Sequence, residues 1–380
     1  MRRRQIPAAT PVTYRPETTI NDPTPLRTDL SPSALTRLRK RVIGMLPRRD
    51  SGVQGIQFDP ADVAPPDRSF WRPAKRAAMD SPHLATFADL LRPPSGGSVR
   101  DGVIGDLAEY HELTQERVVD RCLRSEYESA QEWQAAADLD EFYNSIDSWT
   151  FNLLWYAYLQ TAGFGYPETI VVANRLGEVP VDARMLDLGS GVGTTAQFFA
   201  AIGYEVTLAD VSPVLLDFAR WRLERRGVKA TYLHLPADLP EGQYELVTAL
   251  DVMAHVADTA ETARQVHRAL QPGGLFVANF DVRPKAPEHA WHLYEDDLPL
   301  RWAVERAGFV PVGLIDKILW VYQARPTTGF GWRVRTAVGW LRLASPPARA
   351  VRAARRACHR ALRAVVLSVI NRLGIVNSTG

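Results

Sequence analysis

The fold is decided by the stretch Met185-Leu186-Asp187-Leu188-Gly189-Ser190-Gly191-Val192-Gly193-Thr194-Thr195. An apolar strand runs into a turn with glycine at every second position, and a predicted helix follows directly. A second apolar run over residues 206–209 ends at Asp210, seventeen residues after Gly193. Such a glycine turn lets the backbone approach a ligand closely, and a carboxylate after the next strand can accept hydrogen bonds from ribose hydroxyls. The pattern predicts the nucleotide-binding part of a parallel α/β sheet.

The spacing of the glycines separates two kinds of cofactor. A dinucleotide site has G-x-G-x-x-G, with the third glycine against the helix and a pyrophosphate at the helix N-terminus. This chain has G-x-G-x-G, and Asp187 lies two residues before the first glycine. The arrangement resembles motif I of the class I S-adenosylmethionine (SAM)-dependent methyltransferases, in which the glycine loop passes under the methionine and ribose of SAM. The same spacing disfavours a dinucleotide oxidoreductase.

The resemblance continues through three further segments, over roughly residues 140–324. Asp210-Val211-Ser212-Pro213 is similar to the family's turn after strand two, with Ser212 as the N-cap of a helix that ends before Gly227. Residues 241–256 resemble strand four and the D-V-x-x-H-V pattern after it. Residues 268–277 resemble a helix, an L-x-P-G-G turn and strand five. The resemblance implies a Rossmann-like, doubly wound, seven-stranded sheet that closes with an antiparallel hairpin.

The resemblance also implies a set of cofactor-binding residues. Gly189, Gly191 and Gly193 would shape the loop, Asp187 would hold the methionyl ammonium, and Asp210 would bind the ribose. Val211, Asp251 and Tyr143 occupy further positions that match the family's cofactor site. The family often has an acidic residue after strand three that meets the adenine, but Leu235 stands there in this chain. Adenine is then held by backbone groups and apolar walls, or by Asp238.

Two histidines are the candidates for catalysis. His255 follows the strand-four segment, and an imidazole with an ordinary pKa can accept a proton at neutral pH. His292 follows strand five, where this fold often builds its substrate pocket. The alternative for His255 is a role in packing or in orienting a loop. Glu288, His289 and His292 also offer a weak metal-binding pattern, and we predict no metal.

Composition and charge set limits on the rest of the chain. The two cysteines of the 380 residues, Cys122 and Cys358, lie far apart, which fits a reducing cytoplasm. No apolar stretch reaches the roughly 20 residues that a transmembrane helix needs, and the basic N-terminus lacks the apolar region of a signal peptide. The net charge of +2 combines +7 over residues 1–50, −17 over residues 51–316 and +12 over residues 317–380.

The cationic ends allow several interpretations. Arginines and apolar residues fall on opposite faces of a predicted helix over residues 349–369. Such a helix can pack on its own domain, lie on an anionic membrane surface at the inner membrane face, or bind nucleic acid. Nucleic acid is the weakest of the three, because glycine-rich or aromatic-interleaved RNA-binding patterns are missing.

The sequence divides into four predicted regions. Residues 1–100 hold 14 of the 27 prolines and are predicted to form a partly irregular basic arm, extended over residues 47–100. Residues 101–180 are predicted to be a helical cap with a helix from Thr114 to Ala137. Residues 181–324 form the SAM-binding domain, and residues 325–380 the basic tail.

These patterns predict a cytoplasmic SAM-dependent methyltransferase. The predicted acceptor is an oxygen or nitrogen of a small metabolite, such as a sugar or a lipid-linked intermediate. One alternative is an RNA methyltransferase that anchors phosphates with its basic tails, although the motif of nucleobase amino-methylation is missing at residues 251–254. Another is a non-catalytic SAM-binding scaffold, which the intact glycine and acidic motifs disfavour.

Overall fold

The computed structural model describes residues 58–177, 180, 182–283 and 290–327, with seven isolated positions between 332 and 350. The elements below belong to one compact unit, which ends at Thr327. The predicted basic helix over residues 349–369 lies outside the described residues, apart from Ala350. In the part of the chain that is described, no helix is both long and apolar enough to cross a membrane.

The described residues before the first strand form a series of helices. Ser98 caps the third with its hydroxyl while Asp101 bonds back to the Ser98 backbone, and Thr114 caps the fourth as predicted. The extended conformation predicted for residues 47–100 is wrong between residues 73 and 91, because two proline-initiated helices form there. The helices are α1 (Pro73–Met79), α2 (Pro82–Leu91), α3 (Val99–Tyr110), α4 (Gln115–Ala135), α5 (Leu139–Ser145), α6 (Ser148–Thr161) and α7 (Glu168–Ala173).

The sheet has seven strands, which confirms the predicted fold class. Its order is β3-β2-β1-β4-β5-β7-β6; β1 to β5 run parallel, and β7 is antiparallel to both of its neighbours. The elements are β1 (Arg184–Leu188), α8 (Thr194–Ala201), β2 (Glu205–Asp210), α9 (Pro213–Arg225), β3 (Ala230–His234), β4 (Tyr244–Ala249), α10 (Thr259–Ala269), β5 (Leu270–Asn279), α11 (Asp297–Arg306), β6 (Phe309–Ile315) and β7 (Leu319–Ala324).

Helices cover both faces of the sheet, because successive strand residues point to opposite sides. Met185 and Leu246 pack into the same core as Phe198 of α8. Leu186 and Val247, one position further along the same strands, pack with α10 and α11 on the other side. Central strands buried on both faces explain why the sequence shows continuous apolar runs there.

The strand order reverses between β1 and β4. In an open parallel sheet, ligands bind outside the carboxyl ends of the strands at such a reversal. The segments that follow β1, β2, β4 and β5 therefore meet at one edge, and the predicted site residues lie on these segments.

Candidate active site

The loop between β1 and α8 requires its glycines. Gly189, Gly191 and Gly193 have φ of +67°, +52° and +75°, a region that other residues rarely adopt. A Cβ atom at Gly189 would lie 2.4 Å from Val252 Cγ2, and one at Gly191 would lie 2.8 Å from Leu153 Cδ1. The loop therefore passes closely beneath α6 and the segment after β4, and a side chain at either position would collide with Val252 or Leu153.

Asp210 at the end of β2 holds this loop in place. Its Oδ2 accepts a hydrogen bond from the Gly191 N–H at 2.8 Å, and its Oδ1 accepts one from the Ser212 N–H at 2.9 Å. Burial raises the pKa of Asp210, and these backbone donors oppose the shift. A carboxylate has about four lone-pair sites, so these bonds leave capacity for ribose hydroxyls, the role predicted from the sequence.

Asp187 in β1 is a buried carboxyl group with one oxygen unused. Thr248 donates its hydroxyl to Asp187 Oδ1 at 2.8 Å, whereas Oδ2 has no hydrogen-bond partner among the described residues. Burial raises the pKa of Asp187 to about 7, and the Thr248 hydroxyl and the Ala196 N–H oppose the shift. An unsatisfied buried carboxyl oxygen is costly, so a ligand that donates a hydrogen bond to Oδ2 would stabilise this carboxylate.

Two clefts meet at the carboxyl edge of the sheet. The glycine-loop cleft is lined by α6, the start of α7, Asp187 of β1, residues 189–192 and 194–195, and residues 250–251 after β4. Its empty volume, including space open to solvent, is about 610 Å³. The histidine cleft, measured in the same way at about 540 Å³, is lined by α4, α6 and the segments after β4 and β5. Leu153 and Asp251 line both. The two cavities are therefore neighbours that share a wall.

His255 and His292 lie together in the histidine cleft, with ring centroids 4.3 Å apart. His255 Nδ1 is 3.0 Å from the carbonyl oxygen of Trp291, and His292 Nδ1 is 3.0 Å from that of Asp281. A carbonyl oxygen only accepts, so each Nδ1 carries the proton and each neutral ring has its lone pair on Nε2. Burial, helped by the charge of Arg283, lowers the pKa of His255 to about 4, which keeps this ring neutral at pH 7.

Asp251 occupies the junction of the two clefts in a left-handed backbone conformation, with φ of +58°. Its N–H donates to Asn279 Oδ1 at 2.6 Å, and the Asn279 amide donates back to Asp251 Oδ1. Burial raises the pKa of Asp251 to about 6, and the nearby charge of Asp281 raises it further. Unusual backbone geometry held by a side-chain pair is typical of functional positions.

The other predicted cofactor residues, including Asp210 and Gly193, are not among those that line the glycine-loop cleft. Tyr143 is buried against Trp149 and Phe142, and its hydroxyl has no partner in the described residues. Burial raises its pKa, and so does the charge of Asp210. Val211 is 41% exposed, and Asp238 is exposed on the loop after β3. Their proposed contacts with the cofactor stay predictions.

The metal-binding pattern gains no support. Glu288 and His289 lie outside the described residues, and no group of three potential ligands occurs within those that are described. Sequence reasoning missed Glu168, which lines the glycine-loop cleft, and Asn279, which holds Asp251. No local pattern marks either residue, because both act through contacts that are distant in the chain.

Comparison with known proteins identifies the family. A methyltransferase-domain family model matches residues 186–278. The ubiquinone biosynthesis O-methyltransferase of Bordetella pertussis is 34% identical over 180 residues, which cover 40% of this chain and 74% of that protein. The chain belongs to the class I SAM-dependent methyltransferases. The enzyme of the same name from Ruegeria pomeroyi is 33% identical over 123 residues, or 31% of this chain and 49% of that protein. The chain thus spans about half the length of several relatives.

A solved structure shows a weaker likeness. Phosphoethanolamine N-methyltransferase 2 of Haemonchus contortus, in complex with SAM, is 22% identical, covers 39% of this chain and 37% of its own, and has a TM-score of 0.35. A score this low adds nothing to the fold described above.

The residues of this methyltransferase fit SAM. Gly189 and Gly191, which line the cleft, bring the backbone against it without a side chain. The orphaned Asp187 Oδ2 and the buried, unpartnered hydroxyl of Ser190 line the adjacent cleft. These polar atoms suit the amino-acid end of SAM, which carries both donors and acceptors.

Proposed function

We propose that this methyltransferase transfers the methyl group of SAM to an oxygen atom of a small hydroxylated acceptor. The observation that carries the proposal is the shared wall of the glycine-loop cleft and the histidine cleft at Leu153 and Asp251. Methyl transfer is an in-line displacement, so the acceptor oxygen must touch the methyl group along one line. Two adjoining cavities, one for each reactant, provide that arrangement.

The glycine-loop cleft would hold the cofactor. SAM, when bound, supplies an electrophilic methyl group. Residues 189–193 would lie against it, Asp210 would accept the ribose hydroxyls, and Asp187 would accept N–H groups of the methionine end. Because the loop is fixed by Asp210 before any ligand binds, little ordering is required on binding.

The histidine cleft would bind the acceptor and remove its proton. His255 Nε2 would accept the hydroxyl proton while the acceptor oxygen bonds to the methyl carbon. The carbon–sulfur bond breaks in the same step, and its electron pair stays on sulfur. The Trp291 carbonyl fixes the tautomer of His255 and stabilises the imidazolium that forms.

The walls of the histidine cleft indicate the type of acceptor. Trp149 and Trp291 provide aromatic faces, which suit a planar ring or the apolar face of a sugar, and Asn152 offers an amide oxygen to a hydroxyl. The similarity to ubiquinone biosynthesis O-methyltransferases favours oxygen over nitrogen. A lipid-linked acceptor stays within the proposal, because the predicted basic amphipathic helix could meet a membrane surface.

Isothermal titration with S-adenosylhomocysteine (SAH) tests the cofactor site. We expect micromolar binding (a Kd near 1 μM is about −8 kcal/mol) that is lost in Asp210→Ala. Asp217→Ala, which removes an exposed carboxylate on α9, is the matched control and should bind like the wild type. A folded protein that does not bind SAH would contradict the proposal.

Methyl transfer from labelled SAM tests the acceptor. Phenols, sugars, lipid extracts and RNA are offered separately, with His255→Gln as the control for catalysis. Turnover of a small hydroxylated compound is the expected result. Turnover of RNA alone would support the nucleic-acid alternative, and SAH binding without any turnover would support the scaffold.

A further inference from the structure

Glu168 is a buried carboxyl group to which the proposed mechanism assigns no role. It begins α7, is 3% exposed and lines the glycine-loop cleft. Gln160 Nε2 donates to Glu168 Oε2 at 2.6 Å. Glu168 Oε1 is also buried, yet it has no hydrogen-bond partner among the described residues. One carboxyl oxygen of Glu168 therefore accepts a hydrogen bond from another side chain, and the other oxygen accepts none from the described residues.

The charges around Glu168 make the cleft suitable for a cation. Glu168, Asp187 and Asp251 all line it, and within the described chain no basic side chain does. Burial raises the pKa of Glu168 well above its usual value, and the charge of Asp251 adds to the shift. The backbone N–H of Glu168 itself, Gln160 and the charge of Lys75 on α1 oppose it. A positively charged ligand would relieve the cost of burying these carboxyl groups.

Two orphaned carboxyl oxygens narrow the choice of cation. Glu168 Oε1 and Asp187 Oδ2 are both buried without a donor and both belong to residues that line the cleft. Orphaned acceptors require a ligand with several N–H groups, and an ammonium group has three. A sulfonium carries charge but donates no hydrogen bond. The two unpaired acceptors thus favour an amino group over a group that carries charge but donates no hydrogen bond.

We propose that Glu168, together with Asp187, binds the α-ammonium group of the cofactor. This inference rests on the proposed function, because it takes SAM as the ligand of the glycine-loop cleft. Glu168 would then select ligands that carry the amino-acid part and discriminate against adenosine thioethers that lack it. Asp210, at the end of β2, would serve both kinds of ligand.

The alternative is that Glu168 only supports the fold through Gln160. In that case Glu168→Gln would change the apo protein and leave ligand selectivity untouched. The proposal expects a different combination. The neutral amide removes the cost of a buried carboxyl group, so the melting temperature of the apo protein stays the same or rises, while binding of the ammonium-bearing ligand weakens.

The test compares two ligands by isothermal titration of the full chain at neutral pH. SAH carries the α-ammonium group, whereas methylthioadenosine has the same adenosine and thioether but lacks the amino acid. In Glu168→Gln we expect SAH to bind about 10- to 100-fold more weakly, as for loss of a charged hydrogen bond. Methylthioadenosine should bind within about twofold of the wild type.

Glu245→Gln is the matched control. Glu245 is also buried, but it lies near the start of β4, and its two oxygens already accept from the Arg184 N–H and from Gln271 Nε2, each at 2.6 Å. We expect this variant to bind both ligands like the wild type. The control separates loss of a buried glutamate in general from loss of the carboxylate in the cleft.

The possible results have distinct consequences. Unchanged SAH binding in Glu168→Gln, or equal weakening of SAH and methylthioadenosine, overturns the assignment of the ammonium site and leaves the proposed function standing. If the wild type binds neither ligand, the proposed function fails and this inference fails with it. Selective loss of SAH binding supports both.

Discussion

At the scale of single residues, the chemistry depends on His255. Its Nδ1–H donates to the Trp291 carbonyl, so Nε2 is the basic atom, and burial keeps the ring neutral. We expect His255→Gln to lower kcat by about a hundred- to ten-thousandfold, the usual contribution of a general base. SAH affinity should not change, because His255 lines the histidine cleft and not the glycine-loop cleft.

Steady-state kinetics and SAH titration check this prediction, and His267→Gln, on α10, is the control. In the wild type, the neutral form of His255 is lost only as the pH falls through its pKa of about 4. Protonation of this ring should therefore not reduce the rate above about pH 5. An unchanged kcat in His255→Gln would assign the histidine a packing role.

The raised pKa of Asp187 predicts how cofactor binding depends on pH. Its pKa is raised to about 7, so its negatively charged fraction grows as the pH rises through 7. The ammonium group of SAH stays charged over this range, and we expect SAH affinity to rise between about pH 6 and pH 8. Titration of SAH at several pH values measures this. Methylthioadenosine, which lacks the ammonium group, should show a flatter profile, and equal profiles would contradict the prediction.

The raised pKa of Asp187 also affects the stability of the apo protein. The folded state binds this proton more tightly than the unfolded state, whose aspartate has a pKa near 3.9. The stabilising contribution is fully present below about pH 4 and is lost as the pH rises through 7. A bound cation would oppose that loss.

At the scale of elements, a buried ion pair joins the N-terminal helices to the sheet domain. Arg222 of α9 is fully buried, donates from Nε to Asp106 of α3 at 3.0 Å, and donates from Nη1 to Gln197 of α8 at 2.6 Å. Burial lowers the pKa of Arg222 to about 10, so it stays charged at neutral pH. The Arg222 guanidinium group therefore connects three helices, α3, α8 and α9.

Asp106 also pairs with the buried side chain of Arg226, so removal of Asp106 should leave two buried guanidinium groups without their counterion. We expect Asp106→Ala to lower the free energy of unfolding by about 3–5 kcal/mol, the usual cost of breaking a buried pair from one side. Urea denaturation measures the change. The control is Asp217→Ala, which breaks an exposed ion pair with Arg220. This variant should lower the free energy of unfolding by at most about 1 kcal/mol. Similar losses in the two variants would show that burial does not decide the effect.

At the scale of the whole molecule, the turn between β6 and β7 caps the N-terminus of α1. Asp316, between β6 and β7, accepts hydrogen bonds from the N–H groups of Ala74 and Lys75 at 3.1 and 3.0 Å, and from the Tyr166 hydroxyl at 3.0 Å. These are the unsatisfied donors at the start of α1. The helix is thus capped by a residue more than two hundred positions away.

This cap predicts a long-range effect on stability. Asp316 has φ of +50°, which asparagine tolerates, so Asp316→Asn removes the charge with little change in backbone strain. We expect a loss of about 1–2 kcal/mol and faster proteolysis around α1. Lys317→Asn, in the same turn and also at positive φ, is the control. Equal denaturation midpoints for the two variants would contradict the role of Asp316.

The sequence by itself determined the sheet and the glycine loop. Apolar runs, caps and glycines are local signals, and they located the loop and the acid at Asp210, while the family resemblance implied the closing hairpin. They failed between residues 73 and 91, where prolines suggested an extended arm. Those prolines start helices, and the cap that α1 needs comes from Asp316, which no local pattern connects to it.

Only the tertiary structure decided which side chains share a cavity and which charges are left unpaired. The pairing of His255 with His292, the tautomers set by two backbone carbonyls, and the orphaned oxygens of Asp187 and Glu168 all arise from contacts between separate segments. The physical reason is that burial and hydrogen-bond partners depend on three-dimensional packing, whereas periodicity and turn chemistry depend on neighbours in the chain.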